Sequence, residues 1–355
     1  MYDVIVVGCG PAGAMALQKC AELRLKTLGI EQFRMPRDKP CAGVIYPRVL
    51  EDFEVPGEAI AAPLRGVKMV SPSGNTAVIS FEDMGAVVYR NVFDYMLAIK
   101  AKEYGAKIID RSKLNSISVH NSHCEVILSD DASIKSRYVI AADGVYSAIC
   151  RKLGKSWTEE SLAVTLQLTL RVSEEDKNSI ANFFETYYNS ERTPSGWIWI
   201  AEREKDVLTG LGYEPRYQEK IGNQNQELLN FLSQRFKKFE VLKKDAYMIP
   251  FQGPRPKEDL TLMNRIILTG DAGGFVRSDT GEGIYYAMHS GLAAAESIVD
   301  VMNSDEPLID VYFEKLRDCG LHSLYVATDL KHALLDNESM EAYFKGIRKL
   351  SKLFK

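Results

Sequence analysis

The residues with the clearest chemical promise are the glycines of Gly8-Cys9-Gly10-Pro11-Ala12-Gly13. They sit between a strand-like apolar run at 3–7 and a helical pattern that reaches about residue 23. Gly8 permits the tight turn, Gly10 lets backbone approach a pyrophosphate, and Gly13 lets helix and strand pack closely. The start of the helix offers N–H groups and the positive end of its dipole to phosphate. Glu31 closes a second strand at 27–30, about 20 residues on, where a carboxylate reaches ribose hydroxyls. The spacing predicts dinucleotide binding and leaves open which dinucleotide.

Two later turns could complete such a site. Ala142-Asp143-Gly144, with Ser147 and Arg151 behind it, ends an apolar strand at 138–141, and Gly270-Asp271-Ala272-Gly273 ends another at 265–269. An Asp-Gly pair alone marks only a turn; order and strand context set these two apart. Thr280-Gly281-Glu282-Gly283-Ile284 opens a helix expected over 281–302. The glycines would free backbone N–H groups there for a negatively charged group. Glu282 either caps that helix or touches the ligand. Trp197 and Trp199 could present aromatic faces to a developing positive charge, or simply pack. The six cysteines never form C-x-x-C, and the five histidines lack ligand spacing, so neither zinc nor an iron–sulfur cluster is expected.

Positioning these residues requires more than one core, since 355 residues exceed a single typical domain. The succession strand, glycine turn, helix, strand at 3–31 begins a parallel, doubly wound sheet. Residues 65–83 predict a β-hairpin turning at Pro72-Ser73-Gly74-Asn75, residues 92–104 a helix, and 107–109 a strand. From about 160 the texture becomes antiparallel, with alternation at Leu166, Leu168, Leu170 and Val172, strands at 196–202 and 207–213, and a helix at 227–239. The expected fold class is therefore α/β (α+β overall), a Rossmann-like nucleotide domain at 1–64, 84–156 and 257–304. An antiparallel substrate domain is inserted at 65–83 and 157–256, and a helical segment follows at 305–355.

A net charge of −4 argues against general nucleic-acid binding, and no apolar run is long enough to span a membrane. A first strand beginning at Tyr2 leaves no room for a signal peptide, which predicts a cytoplasmic protein. Residues 343–355 combine Lys345, Arg348, Lys349, Lys352 and Lys355 with Phe344, Ile347, Leu350 and Phe354 at helical spacing. Such a helix is either solvated on its basic face or lies on an anionic membrane.

The second and third turns resemble those of the hydroxylase-like flavoprotein superfamily, in which the aspartate of the third holds the ribityl chain of FAD. Arg90, with Phe93 and Asp94, resembles that superfamily's Arg-x-x-Phe-Asp segment, whose arginine packs near the cofactor. Pro36-Arg37-Asp38-Lys39-Pro40-Cys41-Ala42-Gly43 and the run from Gly274 to Met288 resemble the geranylgeranyl reductase family over roughly residues 1–300. The resemblance implies reduction of isolated C=C bonds in a polyprenyl lipid, with hydride from FAD. It implies FAD contacts at Gly8, Gly10, Pro11, Ala12, Gly13, Glu31, Gln32, Cys41, Ala42 and Gly43. It extends them to Arg90, Asp143, Gly144, Gly270, Asp271, Gly281, Gly283 and Ile284. Cys41, Trp197 and Trp199 are the implied catalytic residues, with Cys41 beside the flavin. No second fingerprint is visible, so electrons are expected from NADPH or from a ferredoxin.

Three departures stand out: Ala42 replaces a glycine, Ser278-Asp279-Thr280 replaces a segment with proline, and Ala201-Glu202 replaces a Phe-Pro pair. Loss of the phenylalanine at Ala201 is expected to widen the substrate space. Trp197-x-Trp199 also matches half of the halogenase W-x-W-x-I-P motif, so a monooxygenase or halogenase acting on a hydrophobic or aromatic substrate is the alternative. A non-catalytic flavin-binding role would be the third.

Overall fold

Alternate residues of strand Tyr2–Val7 enter two different cores, as period-two geometry requires. Val4 and Val6 join Leu17, Ile140, Ile267, Ala294, Ile298 and Tyr312, whereas Ile5 and Val7 join Ile30, Val126, Val139, Ile149, Ile266 and Leu268. A strand buried on both faces belongs inside a parallel sheet covered on both sides. The computed structural model describes residues 1–330 and 334–353, and the chain divides into two units. The first comprises 1–37, 94–158 and 250–328, and the second 38–93, 159–249 and 329–355.

In the first unit the strand order is Thr261–Leu262, Ile266–Leu268, Ser133–Ala141, Tyr2–Val7, Thr27–Ile30, Lys107–Ile109. The pairs Ile5↔Leu28, Ile5↔Val139 and Ile266↔Val139 all run parallel. A hairpin of Leu114–Val119 and Cys124–Leu128 extends from Ser133–Ala141 and covers one face. Helices Pro11–Glu22, Ile284–Met302 and Leu308–Asp318 cover the other. Pro11 at the first helical position presets the backbone for the helix, and Leu25 N–H closes its end on Cys20 O at 2.9 Å. Gly291 lets the long helix touch the first: a Cβ there would lie 2.1 Å from Ala12 O. Burial pushes the Cys20 thiol up to about 12 and that of Cys124 to about 11, so these act as small apolar residues.

In the second unit the order is Phe239–Pro250, Leu162–Val172, Val207–Tyr213, Trp197–Glu202, Phe183–Tyr187, Ile60–Val70, Thr76–Val88, Val44–Ile45. The expected antiparallel pairing holds over most of this sheet, and Phe183–Tyr187 runs parallel to Ile60–Val70. Residues 44–45, 60–70 and 76–88 pair into it. Helix Gln224–Arg235, capped by Asn223 on the Gln226 N–H, lays Leu228, Phe231 and Leu232 on Ile198, Ile200, Leu166 and Leu168. This helix was expected to reach residue 239. It stops at Arg235 because Phe236 turns extended to bury itself in the same core, and Phe239 already begins the edge strand.

Helix Asn337–Leu353 belongs to this unit as well. Its Phe344 is buried 6.0 Å from the Tyr188 ring, and Glu341 accepts from Ser71 Oγ at 2.7 Å and Ser73 N–H at 2.8 Å. Lys345 is exposed; the side chains from Arg348 onward, and Phe354 and Lys355 altogether, lie outside the described residues. No described helix is long and apolar enough to cross a membrane.

Candidate functional site

Parallel neighbours end on the same side of a sheet, so the turns after Val7, Ile30, Ala141 and Leu268 leave the first unit at one edge. Contacts across that edge are close. Gly8, at φ 93°, faces the second turn: a Cβ would lie 2.4 Å from Ala142 O and 2.9 Å from Asp143 Cα. A Cβ on Gly13 would lie 1.8 Å from Gly8 O, and one on Gly270 3.0 Å from the Ala12 Cβ. Gly283 stands beside the third aspartate, its Cβ position 3.9 Å from Asp271 Oδ1. Residues 8–13, 143–144 and 270–284 therefore converge within one unit.

The chemistry of this edge fits a dinucleotide. No side chain caps helix Pro11–Glu22, and Pro11 has no N–H, which leaves the first-turn donors of Ala12 and Gly13 for an anion. Among the described residues a Cβ on Gly10 would meet one atom within 4 Å, the cationic Arg37 Nη2 at 3.3 Å. Sequence reasoning passed over Arg37, whose Nε lies 3.4 Å from Glu31 and whose Nη1 donates to Asp94 at 3.1 Å. Glu31 is buried over the turn, accepting the Cys9 N–H at 3.1 Å and the Phe33 N–H at 3.0 Å, while Gln32 is exposed.

Asp143 accepts the Ile149 N–H at 3.1 Å, and its other oxygen is buried with no hydrogen-bond partner among the described residues. Such an orphaned acceptor is costly without a ligand to donate to it. Burial raises this carboxyl above its ordinary 3.8, so the folded apoprotein binds a proton that the unfolded chain has released. Stability supplied by that proton is present below 3.8 and is lost as pH rises through the folded value. Asp143→Asn apoprotein is accordingly expected to melt higher than wild type at pH 7, with the difference vanishing in acid. Thermal melts across pH check this; equal melting temperatures at pH 7 would contradict it.

The segment before the long helix shows what replaces the absent proline. Arg277 forks onto Asp279 at 2.6 and 2.9 Å, and the Gly281 N–H closes on Arg277 O at 2.8 Å. Gly281 was expected to offer its N–H to the ligand; that donor is committed to this turn instead. Gly283 and Ile284, at the helix start, remain in place for the role. Gly283 is the N-cap of helix Ile284–Met302, and Glu282 precedes it.

The remaining sequence candidates lie in the second unit. The Gly43 N–H donates to Cys41 Sγ at 3.4 Å, and Gly43, at φ 71°, packs so tightly that a Cβ would lie 2.4 Å from Val88 O. Ala42 lies between them, and Arg90 is buried at the start of helix Arg90–Glu103. Trp197, Trp199 and Ala201 share one face of their strand with Leu208, Gly210 and Gly212 of the neighbouring one. The Trp199 ring lies across Gly210, where a Cβ would be 2.6 Å away, and 6.3 Å from Phe184; Trp197 is 6.1 Å from Tyr188. Ala201 is itself buried beside Leu208. Among the described residues no group of three potential ligands could hold a metal.

A family model described as an FAD binding domain matches residues 1–322, and with the reductase relatives that follow it makes this chain an FAD-dependent oxidoreductase. The digeranylgeranylglycerophospholipid reductase of Methanocaldococcus jannaschii is 31% identical over 303 residues, 83% of this chain and 76% of that protein. The geranylgeranyl diphosphate reductase of Rhodobacter capsulatus is 30% identical over 321 residues, 86% of this chain and 77% of that one. The chain belongs to the geranylgeranyl reductase family of FAD-dependent oxidoreductases. Solved structures agree on the fold. A geranylgeranyl bacteriochlorophyll reductase-like protein from Thermoplasma acidophilum superposes with TM-score 0.83 at 23% identity, over 98% of this chain and 91% of that one. Halogenase PltM, in complex with phloroglucinol and FAD, does so with TM-score 0.77 at 19% identity, over 99% and 83%.

Proposed function

We propose that this protein saturates C=C bonds of a polyprenyl chain. The observation that carries the reading is the 31% identity to a digeranylgeranylglycerophospholipid reductase over 83% of the chain. Bound, reduced FAD supplies the hydride. The chain's own residues bind, orient and protonate. Ala12 and Gly13 hold the pyrophosphate, Gly8 and Gly10 admit it, Pro11 fixes the helix start, and Arg37 adds positive charge. Glu31 and Gln32 serve the ribose, Asp143 and Gly144 support the middle of the cofactor, and Gly270 and Asp271 hold the ribityl chain. Gly283 and Ile284 bring the positive end of a 19-residue helix to the ring that gathers negative charge. Cys41, Ala42, Gly43 and Arg90 line the flavin in the same reading.

An unactivated alkene has no carbonyl to polarise it, so positive charge develops on carbon as the proton arrives. The faces of Trp197 and Trp199 suit that charge, and Cys41 is the proposed proton relay. NADPH or a ferredoxin supplies the electrons. Any contact of the basic tail with an anionic lipid surface would not use Phe344, which is turned inward.

The test is anaerobic. Photoreduced holoprotein mixed with a geranylgeranyl lipid is expected to reoxidise at the expense of the alkene. Reoxidation by oxygen alone would favour the monooxygenase or halogenase reading, and none by either would favour a binding role. Cys41→Ser is expected to keep FAD and slow the alkene-driven step roughly 100-fold, as for loss of a general acid. An unchanged rate with flavin bound would remove Cys41 from the chemistry.

A further inference from the structure

Two residues that belong to no motif grip the third turn from behind. Three successive carbonyls of Gly270–Gly273 each accept an N–H from them. Trp157 Nε1 donates to Asp271 O at 3.2 Å, Arg255 Nε to Ala272 O at 2.8 Å, and the Arg255 backbone N–H to Gly273 O at 2.9 Å. The guanidinium lies 3.8 Å above the Trp157 ring, and that ring is wedged under the end of the turn, 2.9 Å from where a Gly274 Cβ would stand. Tyr325 Oη fixes the same arginine by donating to its carbonyl at 2.8 Å.

Stability alone is a poor reason for this arrangement. Arg255 is only 6% exposed, and its Nη2 is buried with no hydrogen-bond partner among the described residues. A desolvated cation with an unmet donor works against folding, and stacking on tryptophan offsets only part of that. What the pair does provide is a fixed direction. With carbonyls 271–273 tied back, the turn cannot rotate them toward the ligand edge, and Gly270 and the Asp271 side chain hold their places beside Ala12 and Gly283.

We propose that Arg255 and Trp157 are positioning residues for FAD, a clamp that presets the turn assigned above to the ribityl chain. The inference rests on that assignment. The experiment compares Trp157→Phe, Arg255→Lys, Arg255→Met and Asp271→Ala, measuring FAD dissociation constants on folded apoprotein, the visible spectrum of bound flavin, and apoprotein melting. Trp157→Phe, which keeps a ring but loses one donor, is expected to weaken FAD about 5-fold. Arg255→Met should weaken it roughly 100-fold and shift the flavin bands, the combined loss of stack and fork. Arg255→Lys should stay near the methionine variant, because an ammonium lacks the planar fork. Wild-type affinity and spectrum in the Trp157 and Arg255 variants, with Asp271→Ala still weakened, would overturn the clamp, even where melting falls. Unchanged affinity in Asp271→Ala would instead overturn the assignment of the turn itself.

Discussion

Gly13→Ala is expected to give a protein that takes up no flavin. The added methyl would lie 1.8 Å from Gly8 O, 2.9 Å from Gly8 C and 3.2 Å from the Ala142 Cβ. The first two are backbone atoms of the fingerprint turn, so no side chain can rotate away. Helix Pro11–Glu22 must back off from strand Tyr2–Val7, and its first-turn donors retreat from the pyrophosphate they are proposed to bind. Overpacking of this kind costs about 1–3 kcal/mol in folding, occasionally more. The effect on cofactor uptake should be larger, because every donor moves together. Flavin absorbance of the purified protein and titration of the apoprotein measure it. Gly57→Ala is the control, since a Cβ there meets nothing within 4 Å. Uptake by Gly13→Ala equal to that of the control would contradict the close packing.

Glu185→Ala should strongly destabilise the second unit. Glu185 is fully buried on the sheet, yet four hydrogen bonds from three side chains converge on it. Lys68 Nζ lies 2.9 Å away, Tyr187 Oη 2.6 Å, and Arg235 donates from Nε at 3.0 Å and from Nη2 at 3.1 Å. Burial, and then the charge of Glu185, push the Tyr187 phenol up. Removing the carboxylate strands a largely buried arginine and a lysine with no counter-charge, which costs about 3–5 kcal/mol. Urea unfolding of the apoprotein checks the figure. Glu240→Ala, which breaks an exposed pair with Arg171, should change stability by no more than about 1 kcal/mol. Similar losses in the two variants would mean that the buried network contributes little.

The parts of the molecule legible in its sequence are those governed by backbone geometry. Gly8 and Gly13 are glycines because no Cβ fits, and that constraint is local enough to read from spacing. The strand at 107–109 and the hairpin around Gly74 follow from short-range pattern for the same reason. Tertiary packing hid the rest. Helix Gln224–Arg235 ends where Phe236 is drawn into a core supplied by distant strands, while propensity alone would carry it further. Nothing in the local sequence links Glu185 to Lys68; the pairing of Phe183–Tyr187 with Ile60–Val70 brings them together from more than a hundred residues apart. Arg37 stood in a quoted segment without a role and Arg255 in none, because an arginine has no spacing signature; only the turn it faces gives it a role. The offer of the Gly281 N–H failed for a comparable reason, since the Arg277–Asp279 fork that claims the turn departs from the pattern on which the expectation stood.

The strand order of the first unit has a consequence for biosynthesis. Ser133–Ala141 acquires its outer neighbour, Ile266–Leu268, only after more than a hundred intervening residues have been made, and the turn bearing Asp271 follows that neighbour. A nascent chain still short of residue 270 therefore owns two of the three turns and a sheet with a bare parallel edge. On the proposed site, cofactor capture is expected only after synthesis has passed the third turn, and fragments split between residues 158 and 250 should hold flavin only when mixed.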